Sequence, residues 1–233
     1  MVKKAVVLSS GGLDSTTCMG IAKAEGYEIY SLSFDYGQRH KKELECAKEV
    51  ADFFGAKEHL IIDFNLRAWG GSALTEDIDV PEDRGLHEMV KEIPITYVPG
   101  RNVIFLAFAA SYAEKIGASA IFTGVNSIDF SGYPDCRKEF IDAFQNTINV
   151  GTKAGLKEET RVIITAPLQF MNKKEIVQAG LKNGVDYSLT SSCYNGREKA
   201  CGVCDSCKLR IQGFREAGTK DPIEYEIDVD WDL

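Results

Sequence analysis

Ala5-Val6-Val7-Leu8-Ser9-Ser10-Gly11-Gly12-Leu13-Asp14-Ser15 stands almost at the start of the chain and decides its fold. An apolar run ending in Ser-Ser-Gly-Gly reads as a buried strand feeding a glycine turn. Residues 14–25 then read as a helix that Gly26 stops. That order puts the turn beyond the carboxyl end of a strand, where open parallel sheets bind ligands. Gly11 and Gly12 let main-chain N–H groups approach a phosphate, and the helix N-terminus adds its dipole. Ser9, Ser10 and Ser15 contribute hydroxyls. The loop lacks the Lys of Gly-x-x-x-x-Gly-Lys-Ser/Thr and the spacing of Gly-x-Gly-x-x-Gly. A plain strand-to-helix turn, with Asp14 as a dipole partner, is the alternative.

The same rhythm continues outward. Residues 29–34, 57–63, 120–124 and 162–165 read as strands, all short and apolar. Residues 40–54, 102–116 and 136–149 read as helices, the first with Leu44, Ala47, Ala51 and Phe54 on one face. Asn172 and Glu175 form a capping box for a further helix that stops near Gly184. Alternating strands and helices predict an α/β fold: about five parallel strands, right-handed crossovers and helices on both faces. The irregular stretch 64–101 interrupts the pattern, as lids and binding segments do. The tail from Asp221 to Leu233 holds six acidic residues and reads as an edge strand or a solvated tail.

Composition bounds the function. The formal net charge is −8, and no basic stripe offers a footprint for a polyanion, so direct nucleic-acid binding is not expected. No apolar run approaches the roughly 18 residues of a membrane span. The apolar stretch at 5–8 is too short for a signal-peptide core, so a cytoplasmic location is expected. Thiols stay reduced there, which leaves seven cysteines to explain.

Four of them cluster. Cys193, Cys201, Cys204 and Cys207 carry seven, two and two residues between them. Four thiolates at such spacing suit a closed, structural zinc site. An iron–sulfur cluster, a redox Cys-x-x-Cys and a disulfide are the alternatives. Cys18 and Cys46 stand apart in predicted helices, where free thiols pack as small hydrophobes.

Three polar motifs fall where strand ends lead into loops or helices: Phe34-Asp35-Tyr36-Gly37-Gln38-Arg39-His40, Val98-Pro99-Gly100-Arg101-Asn102, and Gly124-Val125-Asn126-Ser127-Ile128-Asp129 running into Tyr133-Pro134-Asp135-Cys136-Arg137. Strand ends can bring all three to one rim. Taken singly, Asn102 or Asp135 reads as a helix cap, His40 as a solvated helix start, and Arg101 as a surface ion-pair partner.

The string Ser10-Gly11-Gly12-Leu13-Asp14-Ser15 matches the Ser-Gly-Gly-x-Asp-Ser loop of the N-type ATP pyrophosphatases. Together with the three motifs and the cysteine knuckle, in order from about residue 5 to about residue 215, the chain resembles the 7-cyano-7-deazaguanine synthases of queuosine biosynthesis. The resemblance implies a Rossmann-like, adenine nucleotide alpha hydrolase-like nucleotide-binding domain over 1–184. A small helical zinc-binding region with the acidic tail would occupy 185–233. It implies that Leu8, Ser9, Ser10, Gly11, Gly12, Leu13, Asp14, Ser15, Thr16, Thr17 and Cys18 surround ATP, with Mg²⁺ offsetting phosphate charge. One structural Zn²⁺ per chain on Cys193, Cys201, Cys204 and Cys207, and a homodimer, are implied as well.

The implied reaction takes 7-carboxy-7-deazaguanine and ammonia to 7-cyano-7-deazaguanine. ATP adenylylates first the acid and then the amide, releasing AMP and pyrophosphate. The remaining residues leave no room for a glutamine-hydrolysing domain, so free ammonia or ammonia from a partner is expected. Asp14 and Ser15 are the expected catalytic contributors in the loop, with Arg101 and Arg137 as bidentate anchors for carboxylate or phosphate. Asp129 or Asp135 would accept N–H groups of the guanine-like edge, Tyr133 would stack on the ring, and Asn126 would complete the substrate contacts. A tRNA thiolation enzyme of the same superfamily and a non-catalytic zinc-knuckle module that binds ATP are the rival readings. The acidic charge counts against the first.

Overall fold

The computed structural model describes residues 2–39, 41–83, 93–128 and 132–231. Five strands form one parallel sheet: β1 (Lys4–Leu8), β2 (Glu28–Asp35), β3 (Glu58–Asp63), β4 (Ala120–Phe122) and β5 (Ile163–Thr165). Their order is β3-β2-β1-β4-β5, and every pairing is parallel. The chain runs outward from β1 to β3 and then crosses to the other side of β1. The switch point, where doubly wound sheets open a crevice, therefore lies between β1 and β4.

Strand alternation splits the core in two. Ala5 and Val7 of β1 and Ala120 and Phe122 of β4 face one layer. It is built from α1 (Leu13–Ala24), α2 (Lys42–Phe53), α5 (Lys173–Lys182) and α6 (Asp205–Glu216). Val6 and Ile121 face the other layer, built from α3 (Arg101–Ile116) and α4 (Lys138–Gly151). A period of two on strands buried on both faces requires that division. The five predicted strands are all present, and the helix predicted over 136–149 starts slightly later because Pro134–Cys136 forms a 3₁₀ turn. Cys18 is fully buried in the core, and Cys46 is half-buried.

The stretch expected to be irregular contributes a third, small cluster. Ala73, Val80 and the partly buried Ile78 pack against Cys201, Cys204 and Cys207, with Ile223 and Tyr225 of the tail on the same cluster. Glu82 bridges Cys204, and Ala200 bridges Tyr225. The tail is neither an edge strand of the main sheet nor fully solvated. Its Asp221 is buried against Arg210, whose Nε and Nη2 donate to the two carboxylate oxygens at 2.6 and 2.9 Å. Among the described residues, no helix is long and apolar enough to cross a membrane.

Candidate active site

A cavity of about 270 Å³ opens at the switch point. The glycine loop forms its floor. Gly11 takes φ +74°, and a Cβ there would lie 2.2 Å from the Glu43 carbonyl oxygen, so the first turn of α2 packs directly on the loop. Gly12 caps α1 without a side chain. The first intrahelical bond runs from Thr16 N to Gly12 O. Leu13 N is taken by the Ser192 hydroxyl, but Asp14 N and Ser15 N have no partner within the helix and stay at its mouth, which is an anion site. Ser15 Oγ accepts from Ser10 N at 3.1 Å and lies 3.0 Å from Ser10 Oγ, holding the loop closed.

Two supports reach the loop from residues past 184. Ser191 N donates to Gly11 O at 2.9 Å. Leu13 N donates to Ser192 Oγ at 3.3 Å. The segment Ser191 to Tyr194 forms one cavity wall and ends in the cysteine cluster.

Lys173, the first residue of α5, is the cation of this floor. Its Nζ donates to both carboxylate oxygens of Asp14 at 2.8 and 3.0 Å. It reaches them by passing over Gly213 of α6, where a Cβ would lie 2.4 Å from Lys173 Cγ. Asn172 and Glu175 complete the predicted capping box, which fixes the direction of α5. Sequence reasoning missed Lys173 although one signal was present: a lysine in the first turn of a helix opposes the macrodipole and needs another reason to be there.

Arg101 begins α3 and faces the cavity from the opposite side. Its Nη1 donates to the Tyr36 hydroxyl at 3.3 Å, and the guanidinium lies over the Tyr36 and Phe105 rings. Among the described residues it forms no direct ion pair, although the Asp135 and Glu43 carboxylates feel its charge. Tyr133 also lines the cavity, with its hydroxyl 2.6 Å from Thr96 Oγ1.

Other expected residues serve the scaffold. Asn126 lines the cavity, but its amide donates to Leu168 O and Met171 O and its oxygen accepts from Ile128 N. It ties the β4 loop to the loop before α5. Asp135 Oδ2 accepts from Asn102 N at 3.1 Å, capping α3 from a distant segment, while its Oδ1 is buried without a hydrogen bond. Arg137 is exposed at the start of α4 and does not line the cavity. Thr16, Thr17 and Cys18 are buried behind the loop: Thr17 Oγ1 donates to Leu13 O, and the Cys18 thiol to Thr123 O. Asp129 and His40 lie outside the described residues. Cys136 borders the cavity, and burial, with the Asp135 charge adding to it, pushes its thiol up to about 12. It stays protonated near neutrality and is no ready nucleophile.

The four expected cysteines converge. Their Sγ atoms all lie within 4.8 Å of one another, and three of the four are buried. The Cys201 and Cys207 sulfurs are 3.9 Å apart, close to the roughly 3.8 Å separation of thiolates around a tetrahedral zinc. Hydrogen bonds from the Cys204 and Cys207 thiols hold Cys193 far below the usual thiol value. The cluster could hold a metal ion, and the donor set fits one that prefers sulfur.

The family model described as "Queuosine biosynthesis protein QueC" matches residues 4–218. The 7-cyano-7-deazaguanine synthase of Clostridium kluyveri is 55% identical over 97% of this chain and 99% of its own length. The synthase of Geotalea uraniireducens is 57% identical over 97% of this chain and 98% of its own. That of Acetivibrio thermocellus is 57% identical over 96% and 98%. Among solved structures, NMN synthetase from Francisella tularensis superposes with a TM-score of 0.47 at 13% identity, over 84% of this chain and 69% of that one. A likeness that loose carries nothing about function.

Proposed function

The chain belongs to the queuosine biosynthesis protein QueC family, and on that premise we propose how its cavity makes a nitrile from an acid. The activity is that of an ATP-dependent 7-cyano-7-deazaguanine synthase in queuosine precursor biosynthesis. ATP converts 7-carboxy-7-deazaguanine and ammonia to 7-cyano-7-deazaguanine through an adenylylated acid, an amide and an adenylylated amide.

The observation that carries this reading is the pairing of an unblocked helix mouth with two cations, Lys173 and Arg101, across one cavity. A carboxylate is a poor electrophile because oxide must leave. Transfer of AMP to its oxygen makes a good leaving group, and that transfer needs a place for departing pyrophosphate. The loop amides and the α1 N-terminus hold the pyrophosphate, with Lys173 adding positive charge. Arg101 anchors the substrate carboxylate or the α-phosphate, and Tyr133 presents its ring to the base. Asp14, whose two oxygens both accept from Lys173, would share one of them with Mg²⁺, which when bound would neutralise charge on the triphosphate. Cys193, Cys201, Cys204 and Cys207 would hold one structural Zn²⁺, which would keep the Ser191 to Tyr194 wall against the loop. Residues 1–184 then form the nucleotide-binding part and 185–233 the metal-braced part. The second adenylylation reuses the same floor, since it again transfers AMP to an oxygen of the same substrate.

The test is incubation with 7-carboxy-7-deazaguanine, ATP, Mg²⁺ and ammonium, followed by mass analysis. Nitrile with AMP and pyrophosphate is expected, and ADP in place of AMP would overturn the loop's role. Activity on ammonium alone supports free ammonia as the nitrogen source in the cytoplasm. Sedimentation analysis is expected to give a homodimer.

A further inference from the structure

Glu43, in the first turn of α2, lines the same cavity and has no role in the account above. Its surroundings are unusual for a carboxylate. The Gln38 side chain is locked by its own backbone contacts: its oxygen accepts from Tyr36 N at 2.8 Å, and its NH₂ donates to Phe34 O at 3.0 Å. That orientation leaves the other N–H only one direction, and it donates to Glu43 Oε1 at 3.1 Å. Glu43 Oε2 has no recorded hydrogen bond among the described residues. The carboxyl is thus clamped on one oxygen and open on the other, beside a cavity whose far wall carries Arg101.

We propose that Glu43 is the general base of this enzyme, accepting the protons that leave the substrate nitrogen in amide formation and in nitrile formation. The inference rests on the proposed function, because both steps strip N–H protons. In the first, the ammonia lone pair forms the C–N bond, and the C–O bond to AMP breaks with its electron pair leaving on the AMP phosphate oxygen. The nitrogen then sheds one proton to Glu43. In the second, ATP has placed AMP on the amide oxygen. The nitrogen lone pair has by then formed C=N, so loss of the first N–H proton to Glu43 leaves its electron pair as the nitrogen lone pair. After Glu43 has passed that proton to solvent it takes the second, whose electron pair forms the remaining C–N bond as the C–O bond breaks and AMP leaves with its pair. Adenylylation of the acid sheds no N–H proton and needs no such base.

The electrostatic setting agrees with the geometry. Burial pushes the Glu43 carboxyl up to about 7, with the Asp35 charge adding to it, while Arg101 and the Gln38 hydrogen bond oppose the rise. The other titratable groups lining the cavity, besides Arg101, are Tyr36, Arg39, Tyr133, Tyr194, Arg210 and the thiols of Cys136 and Cys193, with the Lys173 and Asp14 pair on the floor. A base balanced near the working pH is the most effective proton acceptor.

Glu43→Gln keeps the shape and one hydrogen-bonding oxygen, so it separates chemistry from folding. Acid-dependent exchange of pyrophosphate into ATP is expected to stay within about twofold of the unsubstituted enzyme. Amide and nitrile formation are expected to fall about 100-fold or more, with KM for the acid unchanged. The rise in kcat through about pH 7 is expected to flatten in Glu43→Gln and to persist at lower amplitude in Glu43→Asp. Amide formation at the original rate and pH profile in Glu43→Gln, or equal loss of exchange and amide formation, would overturn the proposal. An unsubstituted enzyme without acid-dependent exchange would overturn the proposed function and this inference together.

Discussion

At the residue scale, the site depends on a few charges placed where solvent does not compensate them. Lys173 is 8% exposed and spans from α5 to Asp14 in the loop. In Lys173→Met, pyrophosphate exchange is expected to fall about 100- to 1,000-fold, the usual effect of losing one group that stabilises transition-state charge. The circular dichroism spectrum is expected to stay unchanged, which separates loss of charge from loss of fold. Arg210 and Asp221 form a still more deeply buried pair, with side chains 2% and 0% exposed, and Arg210 Nη1 also donates to Ser192 Oγ, the acceptor of Leu13 N, so the pair braces the loop from behind. Truncating Arg210 to Met would strand a buried carboxylate, at about 3–5 kcal/mol of stability. Denaturant unfolding is expected to recover part of that in the Arg210→Met/Asp221→Asn double variant.

Glu43 also links pH to stability. Its folded value, about 7, lies above the ordinary glutamate value, so between those values the folded state binds a proton that the unfolded chain has released. Stability is therefore expected to fall as pH rises from about 5 to about 7. Unfolding of Glu43→Gln followed over that range is expected to lack this part of the slope.

At the scale of elements, close approaches place the charges. α6 can lie over Lys173 only because position 213 is glycine, and Gly11 does the same for the first turn of α2 on the loop. Gly213→Ala should gain about 1 kcal/mol of helix propensity and lose about 1–3 kcal/mol to crowding. Its stability by denaturant unfolding is expected to fall by no more than about 2 kcal/mol, which leaves it folded. Its exchange activity is expected to fall at least tenfold, because Lys173 must move. A stable but inactive variant would show that α6 belongs to the active site although it brings no catalytic group. Equal activity would refute the packing argument. The capping box at Asn172 was legible in the sequence. What it starts was not, because a glutamate, a lysine or an alanine fits the same helix pattern.

At the scale of the whole molecule, the cysteine cluster joins three segments far apart in sequence: residues 73–80, 193–207 and the tail at 223–225. The same segment carries Ser191 and Ser192 to the glycine loop. A metal held there stabilises the folded state by mass action. Removing it with a chelator at neutral pH is expected to lower the midpoint of thermal unfolding by several degrees and to abolish pyrophosphate exchange. Readdition of zinc is expected to restore both. Retained exchange after complete metal loss would show that the cysteine cluster does not support the nucleotide site. Elemental analysis of the purified protein is expected to give one zinc per chain and no iron.

The local sequence determined the parallel α/β fold, the glycine loop with its helix, and the four-cysteine ligand set. Each of these follows from a short-range pattern: apolar runs, turn residues and fixed spacing along one chain. The tertiary structure alone decided which polar residues share the cavity. It brought Lys173, Glu43 and Ser192 to the rim that Arg101 and Tyr133 already occupied in the sequence reading. It placed Arg137 outside and turned Asp135 and Asn126 into braces. The physical reason is that a side chain's charge or amide becomes useful only where the fold removes its alternative partners. The groups that meet there come from segments more than a hundred residues apart, as Asp14 and Lys173 do.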